Sequence, residues 1–226
     1  MRIADLEQRG RALAERFLGR PLLHLGLSPM ALTLGGLLLN GGAAALLALG
    51  HLPWAGGIIL LAALCDAADG PLARLTNRQS RLGAFLDSTL DRYSEVLIGL
   101  GLFLYLLSRE RWSDLLLLLL FLSGSLTFSY IRARAEAEGF RSHPGLFIRS
   151  LRIGVLVAGL WSGGLSIALW VLTVGTHLSA LHRLLGVCLE AWEKAPPETR
   201  PAWPRWLQEW TSRRTLHNQA GGRPQG

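Results

Sequence analysis

Six apolar runs dominate this sequence, at residues 30–50, 53–75, 83–107, 114–136, 148–162 and 164–187. Most approach the roughly 20 residues that a helix needs to cross a hydrocarbon core of about 30 Å. Lipid offers no partner to a backbone N–H or C=O, so runs of this kind are expected to fold as helices. The fifth run is short. Arg149 and Arg152 stand at its start and only Ile153 to Leu160 is free of charge, so a tilted or re-entrant helix also fits, and five or six spans remain open. Half of the 226 residues are hydrophobic and the mean hydropathy is +0.31, too apolar for a soluble domain of this length. The expected fold is all-α: an integral membrane bundle of six transmembrane helices with an amphipathic helix ahead of it.

Arginine distribution sets the expected orientation, because short cytoplasmic loops collect Arg and Lys. Arg2, Arg9, Arg11, Arg16 and Arg20 precede the first run; Arg74, Arg78 and Arg81 flank the second turn; Arg132, Arg134, Arg141 and Arg149 flank the fourth. With six spans these fall on one side, against only Arg109 and Arg111 on the other, so both termini are expected in the cytoplasm at the cell membrane. Residues 1–28 read as a juxtamembrane segment in which Ile3, Leu6, Leu13, Phe17 and Leu18 alternate with charge, as in a helix lying on a membrane surface. Residues 29–190 form the transmembrane domain, and 191–226 an interfacial tail carrying Trp203, Trp206 and Trp210 before a disordered end. No secretory signal peptide is evident. The net charge of +7 lies beside the spans rather than in a separate basic domain, which favours anionic headgroups and phosphorylated substrates over nucleic acid. Cys65, Cys188 and six scattered histidines show no metal-ligand spacing.

The chemistry is concentrated in one window. Asp66, Asp69, Asp87 and Asp91 are four of only six aspartates, and they fall within 26 residues of strongly apolar sequence. A carboxylate at membrane depth costs about 2.5–3.5 kcal/mol even on the mildest insertion scale, so a compensating partner is required. Asp66 and Asp69 are i, i+3; Asp87 and Asp91 are i, i+4. Two helices can thus each turn two carboxylates toward a shared point. Four hard oxygen donors suit Mg²⁺ or Mn²⁺ rather than zinc, and an ion pair can clamp a diphosphate. Gly70, Ala73 and Gly83 remove bulk where a helix or nucleotide must approach, Pro71 is placed to loosen its helix, and Arg74 to meet a phosphate.

The string Asp66-x₂-Asp69-Gly70-x₂-Ala73-Arg74-x₈-Gly83-x₃-Asp87-x₃-Asp91 resembles, at every fixed position, the signature of the CDP-alcohol phosphotransferases, a family of six-helix membrane enzymes. The resemblance implies that Asp66, Asp69, Asp87 and Asp91 hold two Mg²⁺ ions, Mn²⁺ being an alternative. It implies that Asp91 is also the general base for an acceptor hydroxyl attacking the β-phosphorus of CDP-diacylglycerol, with release of CMP. Its CDP-lipid contacts fall on Pro29, Met30, Ala31, Leu32, Gly70, Ala73, Arg74, Ser80 and Gly83. A homodimer is implied on the same ground.

The stretch from Ser129 to Glu136, followed by Arg149-x₂-Arg152, is similar to the acceptor region of the phosphatidylinositol phosphate synthase branch. That similarity implies that Ser129, Arg132 and Arg152 bind the phosphate of a small phosphorylated alcohol, with inositol phosphate favoured over glycerol 3-phosphate. Two departures stand out: Arg132 replaces the usual Lys, and Ser150 replaces a Pro. Competing readings are a structural polar network for the aspartates, ordinary loop charge for Arg132, Arg134, Arg149 and Arg152, and helix-end hydroxyls for Ser80 and Ser129. At the level of function they are a prenyltransferase, which has two separated aspartate-rich motifs, and an ion-coupled transporter, which has no need of the Gly-x₂-Ala-Arg insert.

Overall fold

The computed structural model describes residues 23, 28–140, 145 and 147–195. Among the described residues there are six helices: α1 (Pro29–Ala48), α2 (Leu52–Leu75), α3 (Arg81–Ser108), α4 (Trp112–Ala137), α5 (Arg149–Ser162) and α6 (Leu165–Lys194). No strand occurs among the described residues. The expected amphipathic N-terminal helix and tryptophan-bearing tail lie outside them.

Local chemistry fixes the helix ends. Ser28 caps α1, its Oγ accepting the N–H of Ala31 at 3.1 Å, and Pro29 follows where no N–H is needed. Ser80 caps α3 in the same way through the N–H of Gly83, at 2.9 Å. Gly163 stops α5 in the left-handed region at φ 74°. Pro71 does not open α2, which runs on through it to Leu75, with Pro71 itself buried.

Short connections reverse the chain, and packing closes into a circuit. α1 lies between α2 and α3; α2 packs on α5, α5 on α6, α6 on α4, and α4 back on α3. The larger core cluster fills one end. Leu47, Ile59, Leu102, Leu118, Leu160 and Leu169 meet there, while the end carrying the aspartates holds the small cluster Leu32, Ala68 and Leu72 and the separately buried Phe128, Ala135, Ala180 and Leu189. Interdigitated leucines thus weld the far end, and the near end is left free to form cavities.

Large apolar side chains also cover the outside: Leu38, Trp54, Trp161, Ile167 and Trp170 are all more than half exposed. Helices hydrophobic all round belong in lipid, and this is a membrane protein. α1, α4 and α6 are long and apolar enough to cross a membrane. α2 and α3 are long enough but carry the aspartates and nearby arginines, and α5, at 14 residues, reaches only about 21 Å.

Candidate active site

Two helices bear the carboxylates, and α1 separates them. Asp66 reaches toward α1 opposite Gly36, where a Cβ would stand 2.5 Å from its Oδ1. Gly36 therefore makes the room that Asp66 occupies. Asp69, three residues on and buried, accepts a hydrogen bond from Thr33 Oγ1 at 2.8 Å. Asp66 and Asp91 meet at one guanidinium: Arg149 Nη2, from α5, lies 2.9 Å from Asp66 Oδ2 and 2.9 Å from Asp91 Oδ1. Arg149 Nη1 also donates to the backbone carbonyl of Asp91 at 3.1 Å. Asp87 faces the cleft that Asp69 shares.

That cleft is an open one of about 780 Å³ between the N-termini of α1 and α3 and the C-terminal turns of α2. Pro29, Met30, Gly70, Ala73, Arg74, Ser80 and Gly83, all expected around the CDP-lipid, line it. Thr33, Arg78 and Arg81 join them. Ala31 and Leu32 are not among its walls: the N–H of Ala31 serves the Ser28 cap, and Leu32 is buried against Ala68 and Leu72. Ser80 does two things at once, capping α3 and facing the cleft. Arginines beside backbone groups at two helix N-termini make an anion-attracting mouth.

A second cavity lies deeper, walled by Asn40, Asp66, Glu95, Arg149 and Arg152 on its polar side and by residues such as Ile59, Leu102 and Phe121 on the other. Arg152 is buried, its Nη1 donating to Ser125 Oγ at 2.6 Å. Its Nε is the one buried side-chain polar atom without a hydrogen-bond partner among the described residues. Ser129 is nearby, accepting from Arg92 Nη1 at 2.8 Å and donating to the Ser125 carbonyl at 3.1 Å. The structure brings Ser129 and Arg152 into one network, whereas Arg132 is exposed and paired with Glu136 one turn on, at 2.9 Å. Sequence reasoning missed Thr33, Arg92, Glu95 and Ser125. Only Glu95 left a signal, continuing the four-residue spacing of Asp87 and Asp91.

As the side chains stand, no three acidic, His or Cys groups close on one point among the described residues. The donor chemistry nevertheless fits a hard divalent cation: carboxylate oxygens from α2 and α3, with two of them already converging on the positive charge of Arg149. Cys65 is a free thiol only partly buried beside Asp66.

A helical membrane bundle with paired acids at a basic cleft is the architecture of an enzyme acting on phosphorylated lipids. The family model described as CDP-alcohol phosphatidyltransferase matches residues 27–188, and the chain belongs to that family. It is a transferase of phospholipid biosynthesis. A phosphatidylinositol phosphate synthase of Mycobacteroides abscessus is 34% identical over 181 residues, covering 75% of this chain and 81% of the relative. The crystal structure of Mycobacterium tuberculosis phosphatidylinositol phosphate synthase with CDP-DAG bound superposes with a TM-score of 0.71 at 28% identity, covering 85% of this chain and all of the other. The same enzyme in complex with manganese and citrate gives 0.69 at 29% identity, over 82% of this chain and 91% of the other.

Proposed function

We propose that the chain transfers the phosphatidyl group of CDP-diacylglycerol to inositol phosphate, with release of CMP. Its relatives supply the precedent: one binds CDP-DAG, and the branch is named for this product. The observation that carries the phosphorylated acceptor is Arg152, a buried guanidinium whose unpartnered Nε stands at a cavity shared with Asp66 and Arg149. Glu95, 3.8 Å from its Nη1, offsets part of its charge, but the Nε N–H still lacks an acceptor, which an anion in the cavity would supply.

In this reading Asp66, Asp69, Asp87 and Asp91 hold two divalent ions, Mg²⁺ or Mn²⁺, supported by the manganese complex of the relative. Bound there, the ions supply positive charge to the diphosphate. The cleft lined by Pro29, Met30, Gly70, Ala73, Arg74, Ser80 and Gly83 takes the cytidine diphosphate. Ala31 and Leu32, on the same first turn of α1 as Met30, back that wall of the nucleotide site. Ser129 and Arg152 hold the acceptor phosphate, with Arg132 at the rim. The acceptor hydroxyl attacks the β-phosphorus, its proton passes to Asp91, and the bond to CMP breaks. Arg149, clasping Asp91 by carboxylate and carbonyl, keeps that base turned toward the acceptor side.

The same reading places six spans in the cell membrane, with the site end and both termini cytoplasmic, and two copies forming a homodimer. Lipid tails then stay in the bilayer while nucleotide and acceptor enter from water. Supplying labelled CDP-diacylglycerol with inositol phosphate, glycerol 3-phosphate, serine or free inositol tests the acceptor. Label should pass to inositol phosphate; transfer to serine or free inositol alone would reject the reading, and transfer to glycerol 3-phosphate alone would change the acceptor's identity.

A further inference from the structure

Glu95 has no part in the mechanism above, yet donors from two helices meet on its carboxylate. It stands on α3 one turn beyond Asp91, with a side chain 12% exposed. Its two oxygens go to different helices. Oε1 accepts from Ser125 Oγ of α4 at 2.6 Å, and Oε2 accepts from Arg92 Nη1 of α3 at 2.7 Å.

Following the protons gives the bonds a direction. The Ser125 hydroxyl has one hydrogen, which goes to Glu95, so its lone pair takes the N–H of Arg152 Nη1 at 2.6 Å. Arg92 Nη1 likewise reaches both Glu95 Oε2 and Ser129 Oγ. Two chains of donors, one from Arg152 through Ser125 and one from Arg92 beside Ser129, end on this one carboxylate. Arg152 itself stays 3.8 Å from Glu95 Oε1, so the serine between them sets its direction. Its Nε is left over for something else.

We propose that Glu95 is a positioning residue for the acceptor-phosphate site. It locks Ser125 and Arg92, and through them turns Arg152 and Ser129 toward the incoming phosphate without touching it. The proposal rests on the phosphorylated acceptor argued above. The plainer alternative is that Glu95 only neutralises two arginines inside an apolar bundle. In that case its loss lowers stability and depresses both substrates alike.

Steady-state kinetics of Glu95→Gln, Glu95→Asp and Ser125→Ala, each with its thermal midpoint, separate the two. Glu95→Gln and Ser125→Ala should raise KM for inositol phosphate by about 10- to 100-fold, the usual cost of losing an outer supporting partner. KM for CDP-diacylglycerol should hold within about twofold, as befits an interaction made with the other substrate, and Glu95→Asp should recover part of the loss. An unchanged acceptor KM in either Glu95→Gln or Ser125→Ala overturns the proposal, as does a parallel rise in both KM values with a lowered midpoint. Should Glu95→Gln fail to fold, Glu95→Asp, which keeps the charge but draws it back from Ser125, decides between positioning and mere charge neutralisation: a raised acceptor KM supports positioning and an unchanged one overturns it. A wild-type enzyme that ignores phosphorylated acceptors altogether sinks the underlying reading, and this inference with it, before any variant is made.

Discussion

At the scale of single residues, the site is a set of carboxylates held by neighbours that sequence does not connect. Asp91 is the proposed base, so Asp91→Asn should lower CMP release by about 10²- to 10⁴-fold while leaving the protein folded, as a nucleotide-release assay with a thermal melt will show. Gly36 is a subtler case. Its added Cβ would stand 2.5 Å from Asp66 Oδ1, so Gly36→Ala should displace that carboxylate and weaken Mn²⁺ affinity by about tenfold, measured by titration of the purified protein. The four aspartates, Arg74 and the small residues between them were legible in the sequence because their spacing is local. Thr33 on Asp69 and Ser125 on Glu95 were not, being contacts across 36 and 30 residues between helices. Arg132 makes a purely local contact. Its spacing to Glu136 offered a local partner, and the helix took it.

At the scale of elements, hydropathy located all six helices to within a few residues at most of their ends, since an apolar run in lipid has one way to satisfy its backbone. The largest miss is the end of α6, which continues to Lys194 rather than stopping near 187. Its last turns, with Glu190, Glu193 and Lys194, are amphipathic and so invisible to a hydropathy reading. Which helices would touch was not legible either, and the order of packing proves decisive. α1 rather than the α2–α3 turn joins the two acidic helices. Gly101 permits that arrangement, for a Cβ there would run into the backbone of Ala44. Gly101→Ala should therefore cost about 1–3 kcal/mol, seen as a lower unfolding midpoint in detergent, because backbone cannot yield as a side chain can.

For the whole molecule, the division into a leucine-packed end and an open, charged end explains how a membrane bundle keeps its shape around cavities. The charged end carries Arg74, Arg78, Arg81, Arg132, Arg134 and Arg149. Of the two arginines at the other end, Arg111 is neutralised by buried Asp114 at 2.6 Å and also reaches Ser166, so the exception to the charge rule is itself paired. In a background lacking Cys65 and Cys188, Gln79→Cys should react with an impermeant thiol reagent only in inside-out vesicles, and Glu110→Cys only in right-side-out ones. The reverse pattern would invert the proposed topology.

The central claim is that these four acidic side chains work by holding divalent cations against a CDP-lipid. Release of CMP from CDP-diacylglycerol in the presence of inositol phosphate, followed before and after chelation and again on adding Mg²⁺ or Mn²⁺, tests it most directly. Release should stop with the chelator and return with either ion; undiminished acceptor-dependent release in the chelator would contradict it.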